Sequence, residues 1–87
     1  SVNSMGNTDM RLSLTDVLFK AYWFITGNPF GPRGEFGSFR PLKVEFDEGK
    51  SRWVVVCVFR RGGKEIRARI TIDDAEGEII GYEELEG

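Results

Sequence analysis

Trp53-Val54-Val55-Val56-Cys57-Val58-Phe59-Arg60-Arg61-Gly62-Gly63-Lys64-Glu65-Ile66-Arg67-Ala68-Arg69-Ile70-Thr71-Ile72 is the stretch whose reading decides the fold. Two β-prone segments flank a pair of glycines. A two-residue type I′ turn needs a left-handed backbone at both central positions, which glycine adopts without steric cost. The turn sets Arg61 against Lys64, and the other pairs follow: Phe59 by Ile66, Cys57 by Ala68, Val55 by Ile70, Trp53 by Ile72. Side chains alternate across a strand, so these residues share one face. Val54, Val56 and Val58 point the other way, flanked by Lys43, Arg67, Arg69 and Thr71.

The neighbouring turns extend the ladder. Glu48-Gly49 between Asp47 and Lys50 reads as a second two-residue hairpin, placing Val44 opposite Trp53 and Leu42 opposite Val55. Asp74-Ala75-Glu76-Gly77 reads as a type I turn with Gly77 left-handed. In that hairpin Asp74 faces Glu78, Ile72 faces Ile80 and Ile70 faces Tyr82. All these apolar pairs fall on the face that carries Trp53. The opposite face gains Glu45–Arg52, Arg60–Glu65 and Arg69–Glu83 as charge pairs, worth about 0–1 kcal/mol each and more useful for alignment than for stability.

N-terminal to the strands, Leu14, Val17, Leu18, Ala21, Tyr22 and Ile25 recur at helical spacing and form one apolar face. Ser13 is the expected N-cap, with Asp16 suited to the positive helix end, and Thr15 is the competing cap. Gly27 ends the helix and Pro29 forbids its resumption. Phe24 widens the core side. The expected fold is α+β: one helix on a four-stranded antiparallel meander in order 1-2-3-4, a two-layer sandwich spanning residues 13–87. Residues 1–12 are polar and without period and are expected to form a disordered tail. Within it, Ser1 to Ser4 read as a tag remnant before a start at Met5 or Met10.

Two apolar groups lie off the main stripe. Phe19 and Trp23, one helical turn apart, form a flanking aromatic ridge that either packs under the following loop or meets a partner. Residues 27–38 form a long glycine-rich loop. It lacks the preceding strand and the Lys-Ser/Thr pair of a phosphate-binding loop. Phe30, Phe36 and Phe39 are costly to leave in water, so they are expected to tuck against the helix or to dock a partner.

The 87 residues suit one domain, and 40% hydrophobic with 30% charged residues is a globular balance. The net charge of -2 exerts no global pull on nucleic acid or anionic membrane. The distribution is uneven. Residues 38–72 hold nine Lys/Arg against four acids, whereas residues 73–87 hold seven acids and no base. The two segments neutralise each other within the sheet, or else Lys43, Arg52, Arg67 and Arg69 make a basic binding face. No apolar run approaches the ~20 residues that span a bilayer, and no signal peptide is visible, so a cytoplasmic location without membrane contact is expected.

Catalytic chemistry finds little to work with. The chain has no histidine and one cysteine, Cys57, which faces inward. The usual base for a nucleophile is therefore absent, and so is a zinc ligand set. Asp73-Asp74-Ala75-Glu76-Gly77-Glu78 departs from the alternate acids of a calcium loop. No enzyme activity, metal or cofactor is expected.

Trp53-Val-Val-Val-Cys-Val-Phe59, followed by Ile70-Thr-Ile-Asp-Asp-Ala-Glu-Gly-Glu-Ile-Ile80, resembles the PepSY-like domains. In those domains a helix precedes antiparallel strands that end in a strand–Asp-Ala-x-x-Gly–strand turn, and residues 13–85 would be covered. The resemblance implies a module that inhibits or binds proteins. Thr26-Gly27 after the helix, with a similar strand order, is also similar to the gas vesicle protein O family. Neither resemblance carries a catalytic residue onto this chain.

The expected function is a non-enzymatic protein-binding or regulatory module that meets a protein partner or a second copy of itself. Contacts are expected at Val54, Val56 and Val58, or at Phe19, Trp23, Phe30 and Phe36. The alternative is nucleic-acid binding through the basic outer face of the sheet.

Overall fold

A computed structural model describes residues 11–27 and 39–86. Helix α1 runs Leu14–Thr26. Four strands follow: β1 Phe39–Asp47, β2 Arg52–Arg61, β3 Lys64–Asp73 and β4 Ile79–Leu85. They form one antiparallel sheet in the order β1-β2-β3-β4, the expected α+β meander. The helix covers one face and packs mainly over β2. Residues Phe30 and Phe36 lie outside the described residues, as do the first ten residues of the expected tail.

The helix ends are as the sequence predicts. Ser13 caps the N-terminus: its Oγ accepts from Asp16 N–H at 3.1 Å, and Asp16 accepts from Ser13 N–H at 3.1 Å. This reciprocal pair satisfies two amide donors that the helix itself leaves open. Gly27 closes the other end with φ 69°, its N–H donating to Trp23 O at 2.7 Å. Val17, Ala21 and Tyr22 are the helix residues buried in the core. Leu14 and Phe24, expected on the core side, are instead exposed; Leu14 sits in the first turn and Phe24 packs at the sheet margin on Tyr82, with ring centroids 5.3 Å apart.

The Gly62-Gly63 turn is as read, with φ 60° and 77°, and the β2–β3 register follows it from Arg61–Lys64 through Trp53–Ile72. Trp53, Val55, Cys57, Phe59, Ala68, Ile70 and Ile72 therefore share the helix side and form the core with Phe39. Phe39 meets Tyr22 edge-on at 5.7 Å.

Three expectations need correction. The β1–β2 connection is a four-residue loop, Glu48 to Ser51, closed by Asp47 and Arg52 rather than a two-residue turn. A type I′ turn would need positive φ at Glu48, which a side chain resists. The chain turns instead at Asp47, whose C=O and Oδ1 both accept from Lys50 N–H at 3.3 Å, and Ser51 takes the left-handed conformation with φ 53°. The register moves by two residues, so faces are kept but partners change. Val44 lies opposite Val55, and Phe46 lies opposite Trp53 with ring centroids 5.1 Å apart. Glu45 consequently pairs with Lys43 at 3.2 Å and not with Arg52.

The second correction is a bulge in β1 between Pro41 and Lys43. Proline has no N–H to give the ladder, and the extra residue, Leu42, leaves it. Leu42 is 50% exposed and turned to the outer face, not paired with Val55. The third lies at the start of β4. Asp73, not Asp74, meets Glu78, its N–H donating to Glu78 O at 2.8 Å. The register then shifts between Thr71 and Ile72, so Ile72 meets Ile79 and Ile80 is left 46% exposed. Ile70–Tyr82 is as predicted.

Moving Asp74 out of the ladder turns its carboxylate inward. It is 2% exposed, and it accepts from Arg11 N–H at 2.7 Å, Leu12 N–H at 3.0 Å and the Trp53 indole at 2.9 Å. Its own N–H donates to Ser51 O at 3.0 Å. One residue thus joins the segment before the helix, the β1–β2 loop and the β3–β4 turn, at the rim of the core.

Candidate functional site

The helix leaves the second face of the sheet uncovered. Strand alternation and the observed register arrange that outer face in rungs. Arg40, Val58, Arg67 and Leu85 form the first; Lys43, Val56, Arg69 and Glu83 the next. Glu45, Val54, Thr71 and Gly81 form the third; Asp47, Arg52 and Asp73 the last. The three valines of β2 make a spine along the middle.

Val54 and Val56 are half-buried. Val58 is only 6% exposed although it is not part of the core cluster under the helix. Its neighbours on the outer face account for this. Arg40, Leu42, Glu65, Arg67 and Leu85 stand around it and enclose a shallow pocket of about 190 Å³ with Val58 as floor. Arginine stems cover apolar surface while their guanidinium groups reach water. Of the predicted contact residues on this face, Val54 and Val56 are accessible and Val58 is reached through the pocket.

The four residues read as a basic face, Lys43, Arg52, Arg67 and Arg69, all lie on the outer side, in three different rungs. Much of the charge is paired. Arg69 is bonded to Glu83 as predicted. Glu65 takes Arg40, at 3.2 Å, rather than Arg60, which turns to Gly63 O at 3.4 Å. The bulge explains the exchange, because it carries Arg40 to Glu65 across β2. Among the described residues Arg67 and Arg52 have no ion pair.

Charge is also segregated along the strands. The half of the face nearer the Gly62-Gly63 turn carries Arg40, Lys43, Arg60, Arg67 and Arg69 against Glu65 and Glu83. The other half carries Glu45, Asp47 and Asp73 against Arg52. The face is therefore an electric dipole with a valine spine, not a uniformly basic surface.

A second candidate surface lies on the helix side. Phe19 and Trp23 are exposed, with ring centroids 6.2 Å apart in the predicted ridge. Phe19 also lines an apolar groove of about 360 Å³ between α1 and β1, with Thr15, Leu18, Tyr22, Phe39 and Pro41. The predicted contacts Phe30 and Phe36 lie outside the described residues.

Titratable chemistry is sparse elsewhere. Burial pushes the Cys57 thiol up to about 11, so it stays protonated at neutral pH and is a poor nucleophile. Glu84 accepts from Arg61 at 2.7 Å and from Tyr82 at 2.8 Å, and these bonds hold its carboxyl below the usual range. Among the described residues there is no group of three or more Cys, Asp or Glu that could hold a metal ion, and no helix is long and apolar enough to cross a membrane.

Sequence reasoning missed Leu42, Leu85 and Arg40 as parts of the outer face. Pro41 was the available signal for the first and third: a proline inside a strand run marks an edge or a bulge, and either throws the neighbours out of simple alternation. No family model matches the sequence, and no curated protein or solved structure is significantly similar to it.

Proposed function

We propose that this chain is a small non-enzymatic protein-binding or regulatory module that works through the outer face of its sheet. One observation carries the reading: Val54, Val56 and Val58 run in a row down a sheet face that no second layer covers among the described residues, with Leu42 and Leu85 beside them. Valine is a good strand former, but a solvated face is more commonly polar, and contiguous apolar surface ringed by charge is the composition of a contact site. The resemblance to PepSY-like domains, which bind or inhibit proteins, points the same way.

The test is a single charge on the spine. Val56→Glu should leave the far-ultraviolet circular dichroism unchanged, because Val56 faces away from the core. It should abolish capture of whatever protein the wild type retains on a column, itself or another. A wild type that retains no protein at any ionic strength would defeat the reading, as would retention indifferent to Val56→Glu.

A second reading is nucleic-acid binding, favoured by the grouping of Arg40, Lys43, Arg67 and Arg69 at one end of the face. It predicts affinity for single-stranded oligonucleotides that falls steeply with salt. Stacking on a sheet also calls for exposed aromatic rings, and the rungs contain none. A flat titration at low salt dismisses it.

A further inference from the structure

The segregated charge on the outer face says what fits against it. We infer that the occupant is a second copy of this chain, stacked sheet to sheet about a two-fold axis that lies between the faces, perpendicular to the strands, and passes between the Val54 and Val56 rungs. This inference rests on the reading of the outer face as a protein-contact surface and names its partner.

The argument is geometric. A two-fold axis in that position keeps each strand over its own counterpart and reverses its direction. The Val56 rung of one copy then lies over the Val54 rung of the other. Lys43 faces Glu45 of the second copy, Arg40 faces its Asp47, and Arg67 faces its Asp73. Each contact occurs twice. The cationic half of one face covers the anionic half of the other, with Val58 over Arg52 of the second copy, and Val54 and Val56 of the two spines meet in the middle. A two-fold axis parallel to the strands superposes the spines but does the opposite with charge. It sets Arg67 over Arg40, Arg69 over Lys43 and Asp73 over Asp47. Like charges brought together at an interface are strongly unfavourable, so the antiparallel stack is selected.

Size and twist are compatible. Four strands at about 4.8 Å spacing, with about 3.3 Å per residue along the ten-residue β2 and β3, present a face of roughly 600 Å². With side-chain relief this approaches the roughly 800 Å² per partner of a standard interface. Stacked sheets are rotated by about 30°. Rotation displaces groups in proportion to their distance from the centre, so Lys43 and Glu45, next to the axis, stay in register best. Their present bond within one chain, at 3.2 Å on exposed side chains, is of the kind that exchanges readily.

The experiment uses two variants and their mixture. Lys43→Glu alone places carboxylates opposite carboxylates across the stack, and Glu45→Lys alone places ammonium groups opposite ammonium groups. In the mixed pair every such contact is of opposite sign. Sedimentation velocity from micromolar to millimolar concentration should show the wild type dimerising and each variant weakened by at least about tenfold. The equimolar mixture should recover dimer, with native mass spectrometry finding one copy of each variant. The charge pair within each chain is broken in both variants whether or not they are mixed, so a purely structural effect would not be rescued by mixing.

Circular dichroism and tryptophan fluorescence verify that each variant folds. Should one fail, Arg40→Glu mixed with Asp47→Lys repeats the test one rung further out. A wild type monomeric throughout overturns the inference, and so does a dimer indifferent to both changes or a mixture that stays monomeric. A monomer that still captures a different protein through Val56 discards the second copy while leaving the protein-binding reading standing.

Discussion

Replacing Asp74 by alanine removes the acceptor on which three donors converge: Arg11 N–H, Leu12 N–H and the Trp53 indole, at 2.7, 3.0 and 2.9 Å. The two amides lie near the surface and regain water once the segment before the helix lifts away. The indole cannot, because Trp53 is buried under Phe46. A buried donor left without a partner costs about 1–3 kcal/mol, and each charged hydrogen bond lost adds up to a similar amount, partly offset by no longer burying a carboxylate. The net loss works out at about 2–4 kcal/mol. For 87 residues at roughly 0.05–0.15 kcal/mol per residue, total stability is about 4–13 kcal/mol, so the change is readily measured.

Urea unfolding followed by tryptophan fluorescence measures it, and Trp53→Phe with Asp74→Ala completes a double-mutant cycle. The two changes should couple by about 0.5–3 kcal/mol, since each removes one end of the same bond. Acid adds an independent signature. Burial raises the Asp74 carboxyl, but the Arg11 amide, the Trp53 indole, the Leu12 amide and the Arg11 charge outweigh it, and the group titrates below its ordinary value of 3.8. The unfolded chain therefore takes up this proton first. The stabilisation is complete above the ordinary carboxylate pKa and disappears as pH falls through the lower folded value. Asp74→Ala should lose that part of the acid sensitivity. A variant within about 0.5 kcal/mol of the wild type, with an unaltered acid limb, would refute the reasoning.

Other consequences can be checked more briefly. Leu42→Ala should change stability by less than about 0.5 kcal/mol, whereas Phe46→Ala should cost about 2–3 kcal/mol, because the bulge and the four-residue loop turn Leu42 outward and Phe46 onto Trp53; equal costs would put the register in error. Ser13→Ala, which breaks the reciprocal cap with Asp16, should cost about 1 kcal/mol in the same unfolding assay, and no change would mean that Thr15 caps instead. Cys57 should resist alkylation at pH 8 in the folded protein and react promptly in urea, as its burial and raised pKa require; rapid labelling of the native state would contradict its place in the core.

What could be read in advance was whatever one local conformation dictates. Gly62-Gly63 permits only a narrow set of turns, and the entire β2–β3 register follows from it. Ser13, Asp16 and Gly27 act within a single helical turn, so the helix ends were legible too. The errors came where a local signal competed with a longer-range one. Glu48-Gly49 resembles a tight hairpin, but Asp47 offers an alternative turn, and the extra two residues let Phe46 meet Trp53. The role of Asp74 was hidden for the same reason: two of its three donors, Arg11 and Leu12, lie 63 and 62 residues away, in a segment with no pattern of its own. The outer face was legible as a row of valines. Its division into a cationic and an anionic half was not, because that depends on the true β1 register and on where the bulge throws Arg40 and Leu42.

Irregular outer strands also decide what kind of assembly this molecule can enter. At β1, an incoming strand seeking to extend the sheet meets the bulge between Pro41 and Lys43, which breaks the regular edge. At β4 it meets the kink at Ile80, followed by the adjacent carboxylates of Glu83 and Glu84. Lateral addition, the step by which sheets propagate into fibres, is obstructed on both flanks. A face-to-face pair about a two-fold axis is closed, whereas growth through a flank has no natural end.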